Sequence, residues 1–106
     1  MTGPGLRRLD PGGDARLALR LAGMEPSPWT AGPGTAFAPH RHDRTKHLYL
    51  ERGSITFRGP AFGEIALEAG DGGIEIPAGT EHSALAGASG VSCVEGFGAQ
   101  PVPRGR

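Results

Sequence analysis

The sequence predicts an all-β domain, a sandwich or barrel of about eight short strands, and three observations carry that expectation. Apolar residues alternate with polar ones over short stretches, the period of a strand with one buried face. The stretches are separated by glycine and proline, 19 and 10 of them in 106 residues. Such richness without alternation would mark disorder, but here it falls where turns are needed. No stretch carries a helical period long enough to compete.

In chain order, residues 1–14 (MTGPGLRRLDPGGD) look loose apart from Leu6 and Leu9. Residues 16–21 alternate Arg, Leu, Ala, Leu, Arg, Leu. A strand would place Leu17, Leu19 and Leu21 on one face, and a short helix between Gly13 and Gly23 is the competing reading. Pro26 and Pro28 break the chain before Trp29, and Gly32-Pro33-Gly34 turns it again. A strand then leads from Thr35 through Phe37 to His40 and His42 and continues over 44–51, with Lys46, Leu48 and Leu50 on the histidine side and His47 and Tyr49 on the other. Arg52-Gly53 is expected to turn a hairpin into 54–57, where Ile55 and Phe57 share a face. After the Gly59-Pro60 turn, residues 62–68 point Ile65 and Leu67 inward. A turn at 70–73 precedes a brief strand over 74–76, and Pro77-Ala78-Gly79 fits a type I turn with proline in its first central position. Strands over 82–85 and 91–97 complete the pattern, and the tail from Gly98 is expected to be disordered. The whole is expected to be one domain with its core over 15–98 and loose termini at 1–14 and 99–106.

The chemistry gathers in GTAFAPHRHDRTKHLYLERG, residues 34–53. His40 and His42 straddle Arg41, so an extended backbone projects both imidazoles from one face, which is half of a divalent-metal site. Forty residues beyond His42, PAGTEH places His82 just after a Pro/Gly turn. Two neutral imidazoles on one face and a third on another strand are the donor set that Fe, Zn, Ni, Mn or Cu accepts.

Together these residues resemble the cupin family, whose two motifs run Gly-x5-HxH-x3/4-Glu-x6-Gly and Gly-x5-PxG-x2-His-x3-Asn. Gly34, His40, His42 and Gly53 match the first, and Pro77, Gly79 and His82 match the second. The resemblance implies a small double-stranded β-helix, or jelly-roll barrel, with both motifs on neighbouring strands and the histidines facing the barrel mouth. It implies a divalent transition metal held by His40, His42 and His82. Three departures bear on the chemistry: Lys46 stands where the family's metal-binding Glu is expected, the interval from Gly70 to Pro77 is one residue longer, and Ala86 occupies the place of the final Asn.

Lys46 facing a dication would be costly at low dielectric. Its ammonium can turn to solvent or pair with Asp43, Glu51, Glu75 or Glu81. It can lose its proton and serve as a base or a Schiff-base nucleophile. Or it can help bind an anionic ligand together with the metal. A bulge in the strand would instead turn His47 inward as a fourth ligand. Cys93, on an alternating strand, reads as a small core thiol. Trp29 and Tyr49 read as packing groups, and Arg41 and Arg44 as solvated charges able to attract an acidic ligand.

Eleven basic and eleven acidic residues balance, which gives no electrostatic reason to expect nucleic acid or an anionic membrane as partner. A single cysteine allows no internal disulfide and fits a reducing compartment, and no apolar run is long enough for a membrane span or a leader, so a cytoplasmic location is expected. The short chain with open strand edges is expected to form a homodimer. These features point to a small metalloenzyme acting on a small anionic molecule, or to a non-catalytic binding or sensing module built on the same pocket.

Overall fold

Two long bent strands organise the molecule, which the computed structural model describes over residues 6–99. The elements are β1 (Arg7–Leu9), α1 (Ala15–Leu21), β2 (Ser27–Ala31), β3 (Ala36–His40), β4 (Lys46–Gly59), β5 (Gly63–Glu68), β6 (Gly73–Ile76) and β7 (His82–Phe97). All the strand pairings are antiparallel. β4 and β7 pair along most of their length, from Lys46↔Phe97 to Arg58↔Ser83, with register irregularities between Leu50 and Ile55. The first half of β4 also pairs with β6 and the second half with β5, giving the ladders β1-β6-β4-β7-β2 and β5-β4-β7-β3.

The irregularity is what folds one sheet into two faces. Lys46, Leu48 and Leu50 are buried at even positions, whereas Ile55 and Phe57 are buried at odd ones. A strand of strict period two cannot bury both sets, so one extra residue must be absorbed between them. Gly53 sits there at φ 78°, and a Cβ on it would collide with the carbonyl of Gly90 on β7. Leu48 and Leu50 from one half, Ile55 and Phe57 from the other, and Leu67, Ile74, Ile76 and Cys93 then close a single apolar cluster. A second, smaller cluster of Leu9, Leu19, Met24, Tyr49 and Val94 lies beneath α1.

Five expectations are corrected. The hairpin at Arg52-Gly53 is a bulge within continuous β4, and the two strands expected over 82–97 are one, β7. The segment 16–21 is helical rather than extended. Asp14 caps it, accepting from Leu17 N at 3.0 Å, and a Schellman turn ends it, with Gly23 N donating to Arg20 O (2.9 Å) and Met24 N to Leu19 O (2.9 Å). The helix buries Leu19 and packs Ala15 and Ala18 beside it, at helical spacing, while Leu17 and Leu21 stay 52% and 80% exposed. Arg7 and Arg8, expected to be loose, form β1 together with Leu9, in register with β6 from Arg7↔Glu75 to Leu9↔Gly73. The rest of the expectation for the termini, at 1–5 and 100–106, falls outside the described residues. Finally, the Pro77 turn closes one residue later than expected. Thr80 N donates to Pro77 O (3.1 Å), and Gly79 takes φ 80° at the second central position, the signature of a type II turn. Among the described residues no helix is long and apolar enough to cross a membrane.

Candidate metal centre

His40 ends β3, His82 begins β7, and the two are register partners. His42 lies past the end of β3, in the loop that leads to β4. Its approach therefore does not come from strand alternation. The Pro77–Thr80 turn holds it, because Gly79 N donates to the carbonyl of His42 at 2.7 Å, and Thr45 Oγ1 accepts from Ala78 N beside it. The two sequence segments singled out for their histidines are thus tied to each other through backbone.

The three imidazoles converge. Ring centroids are 4.4 Å apart for His40–His82, 4.8 Å for His40–His42 and 5.3 Å for His42–His82. One ring nitrogen from each lies within 4.8 Å of the others. His82 is 1% exposed, and His42 is partly buried against the Phe97 ring at 5.2 Å. Nδ1 of His40 meets Ala38 O at 2.7 Å, and Nδ1 of His82 meets Thr80 O at 2.9 Å. A carbonyl can only accept, so each Nδ1 carries the proton and each Nε2 keeps its lone pair. Nε2 of His82 and Nε2 of His42 are buried without a hydrogen-bond partner. Orphaned buried nitrogens are costly, and two of them in one cluster of three imidazoles is what a metal ion would satisfy. The residues present fit such an ion. The span between nitrogens is somewhat wider than the roughly 3.4 Å between ligand atoms of a tetrahedral ion, a difference that small side-chain rotations close.

Burial pushes the pKa of His42 down, helped by the Lys46 charge, and burial likewise lowers that of His82 against the opposing pull of the Thr80 carbonyl. Both shifts favour neutral imidazole, the form that ligates metal.

Lys46 points inward as expected, on the buried face that it shares with Leu48 and Leu50, and is 7% exposed. Its ammonium meets Glu95 Oε1 at 3.1 Å, and the same oxygen accepts from Trp29 Nε1 at 2.8 Å. Of the partners considered from sequence, Glu51 pairs with Arg16, Glu75 with Arg7 and His47, and Glu81 with Arg41, while Asp43 forms no ion pair with Lys46. Glu95 is the site residue that sequence reasoning missed. It lies two positions from Phe97 on β7, and Phe97 is the register partner of Lys46. Only the fold brings residues 49 positions apart together, and the alternation of residues 91–97 was the sole hint that Glu95 shares a face with Cys93. His47 is not brought to the histidine cluster. It faces the other side of β4, where its Nε2 meets Glu75 Oε2 at 3.0 Å. Arg44 stacks its guanidinium over the Phe97 ring, 5.2 Å from the centroid.

A cavity of about 430 Å³ opens beside the cluster. It is lined by His40 and His82, by the apolar Phe37, Ile55 and Phe57, and by the charged pair Lys46 and Glu95. Trp29 packs edge-on to Phe37 with centroids 5.6 Å apart. The volume is that of a small-molecule site.

No protein-family model matches this chain. Nor does any curated protein sequence. Solved structures do. A DUF861 family protein from Thermotoga maritima aligns with a TM-score of 0.66 over 88% of this chain and 99% of its own, at 12% identity. An RmlC-like cupin from Shewanella frigidimarina aligns at 0.61 over 70% of this chain, at 19% identity. The match covers 64% of that protein, so the chain spans just under two thirds of its length. An oxalate decarboxylase variant from Bacillus subtilis aligns at 0.58 and 22% identity, over 70% of this chain and 20% of its own. Antiparallel strands folded into two faces about β4 and β7, together with these likenesses, identify the chain as having the cupin fold, a double-stranded β-helix.

Proposed function

We propose that this chain binds one divalent transition metal through His40, His42 and His82 and acts as a small metalloenzyme on a small, anionic organic molecule held in the adjoining cavity. The observation that supports it most is the pair of buried, unpartnered Nε2 atoms of His42 and His82, in a cluster where Nδ1 of His40 and Nδ1 of His82 are tied to backbone. A metal bound there supplies Lewis acidity and open coordination positions. The chain's own contributions are separate from that chemistry. The Ala38 and Thr80 carbonyls fix ring orientation. Phe37, Ile55 and Phe57 exclude water from the ligand's body, and Lys46 can donate a hydrogen bond into the cavity from its pairing with Glu95. That a structural neighbour is an oxalate decarboxylase makes chemistry on a small carboxylate a reasonable class to assay.

A non-catalytic binding or sensing module is the second reading. It is favoured by one feature: the inward position on β4 carries a lysine already paired with Glu95, rather than a fourth ligand. A cytoplasmic homodimer belongs to the same proposal, and light scattering that gives a monomer at high micromolar concentration would remove the dimer from it. The metal reading is tested by elemental analysis of protein purified without a histidine tag. Close to one equivalent of a transition metal supports it, and protein that stays metal-free after incubation with Fe, Zn, Ni, Mn and Cu salts contradicts it. Turnover of candidate carboxylates by the loaded protein then separates enzyme from binding module.

A further inference from the structure

The three imidazoles are not restrained alike. The backbone carbonyls of Ala38 and Thr80 fix the rings of His40 and His82 through Nδ1. The ring of His42 makes no such bond among the described residues, and its Nε2 is buried without a partner. Its backbone is held, because Gly79 N donates to its carbonyl at 2.7 Å, but that bond leaves the side-chain torsions free. Apart from the other two imidazoles, the ring that meets it is Phe97, at an interplanar angle of 67° with centroids 5.2 Å apart.

Phe97 is itself fixed from several sides. It is the register partner of Lys46 at the end of β7, and the next residue, Gly98, donates its N–H to Thr45 O at 2.8 Å. The Arg44 guanidinium lies 5.2 Å from the ring centroid and the Lys46 ammonium 5.5 Å from it, both within cation–π distance. Residues 42, 44 and 46, two apart in sequence, thus all bear on one ring. His40 and His82 line the cavity, whereas Phe97 does not. What the ring does for the site therefore passes through His42 and not through a molecule in the cavity.

Resting on the metal reading, we infer that Phe97 is the positioning residue for His42, its ring taking the part that the Ala38 and Thr80 carbonyls play for the other two ligands. A planar ring packed edge-to-face on an imidazole limits the angles that the imidazole can take, and groups that orient metal ligands are worth about 10- to 100-fold in metal affinity. Valine keeps the strand but falls short of the imidazole, whereas tyrosine keeps the ring at a position that is only partly buried. The ring also anchors two cations. A charge displaced by its loss would act on the ion whether or not His42 is present, so the two explanations leave different signatures.

Copper(II) is the probe, because it is the divalent ion that nitrogen sites hold most tightly and so tolerates the removal of one imidazole. Calorimetry compares wild type, Phe97→Val, Phe97→Tyr, His42→Ala and Phe97→Val/His42→Ala, with circular dichroism to confirm folding. Phe97→Val is expected to weaken binding at least about tenfold, and Phe97→Tyr less than about threefold. In the His42→Ala background Phe97→Val is expected to change affinity less than about twofold, the non-additivity of two residues that act through one contact. A loss of equal size with and without His42 overturns the inference, as does wild-type affinity in Phe97→Val. If Phe97→Val fails to fold, Phe97→Leu, closer in volume, takes its place in the same cycle. Wild-type protein that binds no copper, or a triple histidine-to-alanine variant that binds it as well, overturns the metal reading and the inference with it. Copper-binding protein without the coupling overturns only the inference.

Discussion

Lys46 and Glu95 form a buried ion pair whose members have unequal histories in the sequence. That Lys46 faces inward was legible, because it falls at period two from Leu48 and Leu50, and β4 buries all three. Its partner was not, since nothing local in β4 indicates which residues of β7 lie opposite. Removing one member of a buried pair strands the other, whereas removing both leaves only packing to be satisfied. Lys46→Glu, which sets two carboxylates where the pair stood, is expected to cost about 3 kcal/mol or more in urea denaturation, and Lys46→Met/Glu95→Gln to cost much less. Equal losses in the two would show that the pair is not coupled. Glu75 is a second residue with a readable consequence. Arg7, chiefly, and His47 hold its carboxyl at about 2, down from 4.5. A depressed carboxyl binds fewer protons folded than unfolded, so its stabilisation is complete above the unfolded value and is lost as pH falls from about 4.5 towards 2. Arg7 is largely solvated, which limits the effect to the order of 1 kcal/mol. Glu75→Gln should be less stable than wild type by that amount at pH 7, and the difference should shrink towards zero by pH 2.

At the scale of elements, the strands announced themselves through alternation and the turns through Gly and Pro, and the misreadings have physical causes. Three leucines two apart satisfied a strand template, but only Leu19 is buried. The deciding signals were the capping Asp14 and the Gly23 stop, which lie outside the alternating stretch. Gly53 looked like a hairpin turn because a bulge and a turn both require a left-handed residue. What distinguishes them is the change in buried parity from Leu50 to Ile55, which becomes meaningful only once both are known to face one core. The turn holding His42 was recognised by its residues, although its role as a clamp on the histidine loop was not. Gly23 and Gly53, both left-handed, should respond differently to substitution. Gly23→Ala meets open space and pays only for backbone conformation, about 1 kcal/mol. Gly53→Ala adds a collision with the Gly90 carbonyl and is expected to lose at least about 2 kcal/mol by urea denaturation. Similar small losses for both would mean that β4 and β7 do not pack this closely at the bend.

For the molecule as a whole, the bend in β4 and β7 places the aromatic wall and the histidine cluster on the same cavity, and the second core under α1 braces the opposite surface of the sheet. Cys93 lies within the first core, 1% exposed, and burial pushes its thiol up to about 12. A thiol with a raised pKa binds more protons folded than unfolded, so alkaline conditions above the ordinary thiol range destabilise the fold. Cys93 should therefore resist a thiol-specific disulfide reagent at pH 8 and react at once in denaturant, and fast reaction of native protein would contradict the packing of β7 described here. The cluster of His40, His42 and His82 remains the feature on which the functional reading stands. The most direct test is zinc calorimetry on wild type beside His40→Ala/His42→Ala/His82→Ala, with near-ultraviolet circular dichroism to confirm that the fold is kept. Saturation at one equivalent in the wild type and loss of that binding by at least about a hundredfold in the folded triple variant is the expected result, and stoichiometric binding of undiminished affinity in the triple variant would contradict it.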